Sequence, residues 1–382
     1  MNKHILFVLD YYLPHKGWSE TVFEAIISRL LAKWYTITVL TSHFDKTLPA
    51  YEGKEVFSIH RIGKGRISFI FCALWKWIEI LKKNKNIGVI HTSTYGWAIP
   101  ASLLGKLFHK RVVLTVHEIF WRLWMSYKWR RKGSIYKLFE RMIFRFPYDT
   151  YHCVSQYTMN ALRMVYGIPD KKITMIHNGV DTNFRNPEEV SQFDIKTWKN
   201  QYGWSNRFVI TYYGHAGKSK WLDYLVRALP ELVMVDAKLL FIFNLIDSKR
   251  TQYVKEQIRK YHLWPAWPAG RSSVQIFDGL EKNDLRTMIA SSDMIVAPSL
   301  SEGFGSVHTE SVAMEKPLLT THIASIPEVV RGNVKFIAPA SRREIIQAIL
   351  ERDQRIGDSE YMIPTKQFSR NTTVKEIIKL YR

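Results

Sequence analysis

Cysteine is almost absent from this chain, with Cys72 and Cys153 the only two among 382 residues. Two isolated thiols exclude a disulfide framework and fit a reducing, cytoplasmic setting. Long apolar runs are missing too. No stretch approaches the roughly 18 uninterrupted apolar residues of a membrane span. The nearest, Ile67 to Trp75, is broken by Ser68 and closed by Lys76. The N-terminal apolar run is short and ends in Asp10, so a first strand is expected there and not a signal peptide. No two aspartates stand two positions apart, which removes an Asp-x-Asp metal pair. There is no fixed-period repeat and no low-complexity tract. Acidic residues are scarce: 34 Asp and Glu against 55 Lys and Arg leave a net charge of +21.

That surplus is uneven. Residues 1–182 carry 27 cationic against 12 acidic side chains, and the remainder carries 28 against 22. A strongly cationic first half needs an anionic partner: nucleic acid, lipid headgroups or a lipid diphosphate. The length suits two domains of roughly 150–200 residues. Asn-Gly and Asn-Pro place a boundary near Asn178–Asn186, and a second hinge is expected near Met362–Phe368.

Strand-like and helix-like segments alternate throughout. Strands are expected at His4–Leu9, Thr36–Thr41, Gly88–Thr92, Val112–His117 and Thr150–Val154, and again at Phe208–Tyr213, Lys238–Phe243, Val274–Phe277, Met294–Pro298 and Pro317–Thr320. Helical patterns fill the gaps, as at Ser19–Lys33, Gly96–Phe108 and Ser134–Phe146. Continuous apolar strands alternating with helices predict parallel sheets covered on both faces. Such sheets bind ligands at the carboxyl ends of their strands.

The segment Ser299-Leu-Ser-Glu-Gly-Phe-Gly-Ser-Val-His-Thr-Glu310 sits just after such a strand. It reads as a glycine loop opening a helix from Ser306 to Met314, with Val307, Ser311 and Met314 on the inner face. Backbone N–H groups at that helix start suit a phosphate. Glu302 and Glu310 flank the loop, and two acceptor-only groups suit hydroxyl-rich ligands. Tyr213-Gly-His-Ala-Gly-Lys-Ser-Lys-Trp221 is a second glycine loop between strand and helix. Tyr212 stands where a P-loop requires glycine, so that motif is rejected. Lys218 and Lys220 can meet phosphate as point charges; the plain alternative is a solvated basic turn.

Glu302 and Glu310 with the residues between them resemble the glutamate–seven residues–glutamate motif of the retaining glycosyltransferases of family 4. Leu13-Pro-His-Lys-Gly-Trp-Ser-Glu20 resembles that family's N-terminal loop. Ile176-His-Asn-Gly-Val-Asp181 resembles its interdomain segment, and Ser325-Ile-Pro-Glu-Val-Val330 the segment that follows the second glutamate's helix. The resemblance implies a GT-B fold, α/β, with two Rossmann-like doubly wound domains facing each other across a cleft. Residues 1–177 would form the acceptor domain, with a C-terminal helix of about 366–382 packing back on it. Residues 178–365 would bind the nucleotide-sugar.

By the same resemblance Glu302, His117 and Lys220 are the catalytic candidates. Glu310, Gly303, Phe304, Gly305, Ser306, Val307, Gly214, His215, Lys218, Gly279 and Leu280 are the donor-binding candidates. Gly17, Trp18 and Glu20 belong to a loop over phosphates and acceptor. His215 stands where the family has an arginine, Trp221 where it has a glycine, and Trp18 where it has the second glycine of a pair. No metal and no other cofactor is expected; the donor would be a UDP-, GDP- or ADP-sugar. The acceptor would be a saccharide or a polyprenyl-diphosphate-linked one, in bacterial surface polysaccharide assembly (O-antigen, capsule or lipopolysaccharide). The basic aromatic stretches 69–83 and 121–132 read either as interfacial membrane helices on the inner face of the plasma membrane or as core helices with a cationic edge. No nucleic-acid module accompanies them. A sugar-nucleotide epimerase on the same architecture and a non-catalytic basic binding protein stay open as alternatives.

Overall fold

The computed structural model describes residues 4–15, 17–63, 66–94, 96–127, 130–181, 184–246, 248–263, 272–352 and 368–382. The side chains of residues 18, 66–74 and 130 fall outside that description, as does most of the expected hinge at Met362–Phe368. The chain divides into two compact units, Met1–Gly179 with Phe368–Arg382, and Val180–Gln367.

The first unit carries strands β1 (His4–Leu9), β2 (Thr36–Ser42), β3 (Tyr51–Lys54), β4 (Phe57–Ile62), β5 (Ile87–Ser93), β6 (Arg111–Val116), β7 (Thr150–Cys153) and β8 (Ile173–Met175). They form one sheet in the order β3-β4-β2-β1-β5-β6-β7-β8. Every pairing is parallel except β3 with β4. The sheet is buried on both faces, which explains why β1, β2 and β5 read as unbroken apolar runs. One face packs Leu6, Val8, Ile90, Leu114 and Trp77. The other packs Ile5, Phe7, Val39, Val89 and Phe23 together with Val374 and Ile377 of the helix Arg370–Lys379. That helix is further tied down by Thr373 Oγ1 donating to the His177 carbonyl at 2.8 Å.

The second unit is a six-stranded sheet: β9 (Phe208–Gly214), β10 (Leu239–Leu245), β11 (Val274–Phe277), β12 (Met294–Ala297), β13 (Leu318–Thr321) and β14 (Val334–Ile337). Its order is β11-β10-β9-β12-β13-β14, all parallel. The order reverses between β9 and β12, and a doubly wound sheet opens its ligand crevice at that switch point. The loops leaving β9 and β12 are the two glycine loops singled out above.

Among the described residues no helix is long and apolar enough to cross a membrane. The helix Arg66–Lys83 turns Trp77, Ile80 and Leu81 inward, while Trp75 stands 81% exposed. The helix Arg130–Arg145 behaves differently. Ile135, Leu138 and Met142 are exposed on it at 67%, 60% and 44%, one helical turn apart. Arg131, Lys132, Arg141 and Arg145 are exposed with them.

Candidate functional site

The helix Ser306–Ala313 starts at Gly305, whose φ of 77° lies in the left-handed region. A Cβ there would stand 2.9 Å from His308 Nδ1, so glycine is required twice over. The buried face holds His308, Thr309, Ser311 and Val312; Ser311 and Met314 are buried as periodicity suggests, while Val307 is only half-buried. Ser306, Val307 and Glu310 are only half-buried and share the opposite face, being three and four positions apart. The polar His308 and Thr309 were misjudged because they look unlike core residues.

Glu302 is almost fully buried at 7% exposure. Its Oε1 accepts from Lys220 Nζ at 2.6 Å and Ser299 Oγ at 2.7 Å, with His308 Nδ1 3.8 Å away. Burial opposes its ionisation, but the Lys220 ammonium and the two hydrogen bonds outweigh that, and its carboxyl lies below the usual range. His308 is held neutral by burial. Its Nε2 reaches the Ala297 carbonyl at 3.3 Å and must donate there, so the proton lies away from Glu302. The Lys220 turn is pinned to the same loop by Leu300 N donating to the Ser219 carbonyl at 2.7 Å. Both glycine loops therefore converge on one carboxylate.

Glu310 has a partner that sequence reasoning missed. Arg185 Nη2 stands 2.9 Å from its Oε2. Tyr213, at the end of β9, donates its hydroxyl to the Val307 carbonyl at 3.0 Å and lies 3.2 Å from Ser311 Oγ. Gly214, with φ 122°, leaves room beside Val307 Cγ2. His215 and Lys218 are exposed on the same loop, and the His215 carbonyl accepts from Tyr212 Oη at 2.6 Å. Phe304 is a core residue at 1% exposure. Gly279 has φ 74°, and Leu280 N donates to Asn244 Oδ1 at 2.9 Å beyond the ends of β10 and β11.

In the first unit His117 follows β6 directly. Burial holds it neutral, with a pKa pushed down to about 3. Its ring meets Phe23 edge-on at 5.7 Å. The turn after it is anchored by Glu140, which is fully buried and accepts from Phe120 N at 3.2 Å, Trp121 N at 3.0 Å, Trp124 Nε1 at 2.6 Å and Tyr166 Oη at 2.5 Å. An acid inside a basic helix reads as a solvated charge, so nothing in the sequence pointed to it. Glu20 is buried as well, accepting from Ser19 Oγ at 2.9 Å with His15 Nδ1 at 3.3 Å. Gly17 approaches that carboxyl too closely for any Cβ.

A polar chain crosses this unit's core. His152 Nε2 lies 3.0 Å from the Ile176 carbonyl and must donate to it. His152 Nδ1 then accepts from Thr115 Oγ1 at 3.0 Å, and Thr115 in turn accepts from His91 Nε2 at 2.7 Å. His91 Nδ1 is left to accept from Tyr381 Oη at 2.7 Å. Burial pushes His152 down to about 4 and His91 well below its ordinary value.

Two family models cover most of the chain. Residues 19–184 match Glycosyltransferase Family 4, and residues 194–354 match Glycosyl transferases group 1. An uncharacterized glycosyltransferase of Methanocaldococcus jannaschii is 22% identical over 94% of this chain and 92% of its own length. An uncharacterized 41.2 kDa protein in the cps region of Klebsiella pneumoniae is 25% identical over 75% of this chain and 71% of its own. Among solved structures, Anabaena HepE in complex with UDP-glucose superposes with a TM-score of 0.76 at 18% identity, covering 98% of each chain.

Proposed function

The chain belongs to the glycosyltransferases of family 4, built on the GT-B plan of two α/β domains with parallel sheets, and from that premise we propose that it moves a sugar with retention from a nucleoside diphosphate to a saccharide or lipid-linked acceptor. The second unit takes the donor. The anomeric carbon–oxygen bond breaks, and its electron pair leaves with the diphosphate. Lys220, assisted by Lys218 and the amides of Gly305–Val307, meets that negative charge. One such preorganised donor contributes about 3–4 kcal/mol, or roughly 100–1,000-fold in rate. Glu302 holds the sugar hydroxyls and sets its negative charge near the developing oxocarbenium ion. Glu310 accepts from the ribose. A hydroxyl oxygen of the acceptor forms the new bond, and its proton passes to the leaving phosphate.

The observation that carries this reading is the ion pair of buried Glu302 with half-buried Lys220, between two glycine loops at the switch point of the sheet. His117, Gly17, Trp18 and Glu20 are assigned to the acceptor and to the transferred sugar. Turnover is expected to survive chelation, because the Asp-x-Asp pair is missing. The similarity to HepE bound to UDP-glucose favours a nucleotide-sugar donor. The relative in a cps region, with the cationic first unit, favours a surface-polysaccharide acceptor presented at an anionic membrane.

A thermal-shift screen against UDP-, GDP- and ADP-sugars, followed by assay of nucleotide release with Glu302→Gln as control, tests the proposal. One donor class should stabilise the protein, and Glu302→Gln should abolish release while remaining folded. Wild-type turnover in that variant overturns the assignment.

A further inference from the structure

Arg185 carries an unused binding capacity. Its side chain is 7% exposed, and one guanidinium nitrogen, Nη2, meets Glu310 Oε2 at 2.9 Å. The other, Nη1, is buried and has no hydrogen-bond partner among the described residues. A buried N–H of a charged group without an acceptor is costly, and folds keep one where a ligand completes it.

The local structure is built to aim this residue. Asp181 Oδ1 accepts from Phe184 N at 3.3 Å, and the Asp181 carbonyl accepts from Arg185 N at 2.7 Å. That capped turn explains what the Asn178-Gly-Val-Asp181 segment does here. The Phe184 ring beside it gathers cations: Arg185 at 5.2 Å, Lys282 at 4.2 Å and Arg286 at 4.6 Å. Lys282 lies 3.9 Å from Asp181. Like charges so close favour an anionic or oxygen-rich ligand.

We propose that Arg185 is a donor-binding residue that completes its hydrogen bonding on an oxygen of the nucleoside. This rests on the nucleotide-sugar reading of the same site. Glu310 sits one helical turn past Ser306, so about 6 Å separate it along the axis from the amides assigned to the phosphate. A group paired with Glu310 is therefore placed at the nucleoside end. Its charge also keeps Glu310 compensated while that carboxylate accepts from the ribose.

Calorimetric titration tests this with UDP, GDP and ADP, and with the matching nucleoside, on wild type, Arg185→Gln, Arg185→Lys and the Arg185→Gln/Glu310→Gln pair. The nucleoside diphosphate that binds wild type should bind Arg185→Gln about 10- to 100-fold more weakly. The nucleoside should lose by a similar factor, and the loss should persist in the Glu310→Gln background. Arg185→Lys, which keeps the charge but not the second nitrogen, should lose in the same sense, and it carries the test should the glutamine variant not fold. Undiminished affinity in either Arg185 variant, even with lowered thermal stability, overturns the proposal and leaves the donor reading intact. Loss for the diphosphate alone moves the contact to phosphate and overturns it too. Failure of wild type to bind any of the three removes both readings.

Discussion

In the first unit His91 and His152 lie within β5 and β7, His117 just beyond β6, and burial holds all three neutral. In the second, Lys220 and Glu302 stand beyond β9 and β12 and face each other as an ion pair. His91, His152 and Glu302 are buried, and Lys220 is half-buried. One site is polar without charge, and the ring hydrogens of His91 and His152 each find an acceptor along a chain. The other keeps opposite charges in contact, so that a field is already in place where charge must develop. The first arrangement suits a rigid scaffold; the second suits the charge-separating reaction proposed above.

Breaking the pair should have the largest effect. Lys220→Met leaves Glu302 buried without its counter-charge, at about 3 kcal/mol of stability, and nucleotide release should fall roughly 100–1,000-fold. The double variant Lys220→Met/Glu302→Gln turns the second site into a neutral one. Urea unfolding should show much of the stability restored, while the assay shows no activity.

Acid should separate the two sites next. An unfolded histidine takes a proton near pH 6.5, whereas folded His152 resists until about 4. The unfolded state binds more protons in that window, so stability is complete above about pH 6.5 and falls by about 3 kcal/mol on descending to pH 4. His152→Gln should make the urea midpoint fall less steeply with acid over this range, His91 and His117 keeping their share of the slope. The contribution of Glu302, whose folded carboxyl lies below 4.5, is present above that value and is lost only as pH falls further.

Gly305→Ala should be milder, at about 1–2 kcal/mol from its left-handed φ, with weaker donor binding in the same titration. Tyr381→Phe should be smallest, near 1 kcal/mol in thermal unfolding.

Much of this was legible from residues. The strands His4–Leu9 and Val274–Phe277 fall at their expected limits, because apolar runs bounded by polar residues mark buried parallel strands directly. The helix at Ser306 was legible because glycine precedes it, and so was the burial of Ser311 and Met314, but not that of His308, whose polar ring finds its partner on the Ala297 carbonyl. The antiparallel strand β3 passed unseen because all four of its residues are exposed. Arg185 and Glu140 were invisible for a common reason: a charged residue looks solvated until the partners that enclose it, distant in sequence, are known.

The Ile176 carbonyl can only receive, and this fixes the sense of every link back through His152, Thr115 and His91 to Tyr381. The polarity cannot be reversed by rotating one ring; each link would have to turn together. One carbonyl thereby sets the tautomers at the middle of a sheet, and the chain it orders ends on a hydroxyl 290 positions from the histidine it touches. Trimming two residues from the C-terminal end would strip an acceptor of its hydrogen deep inside β5, an injury at the surface of the sequence felt at the centre of the fold.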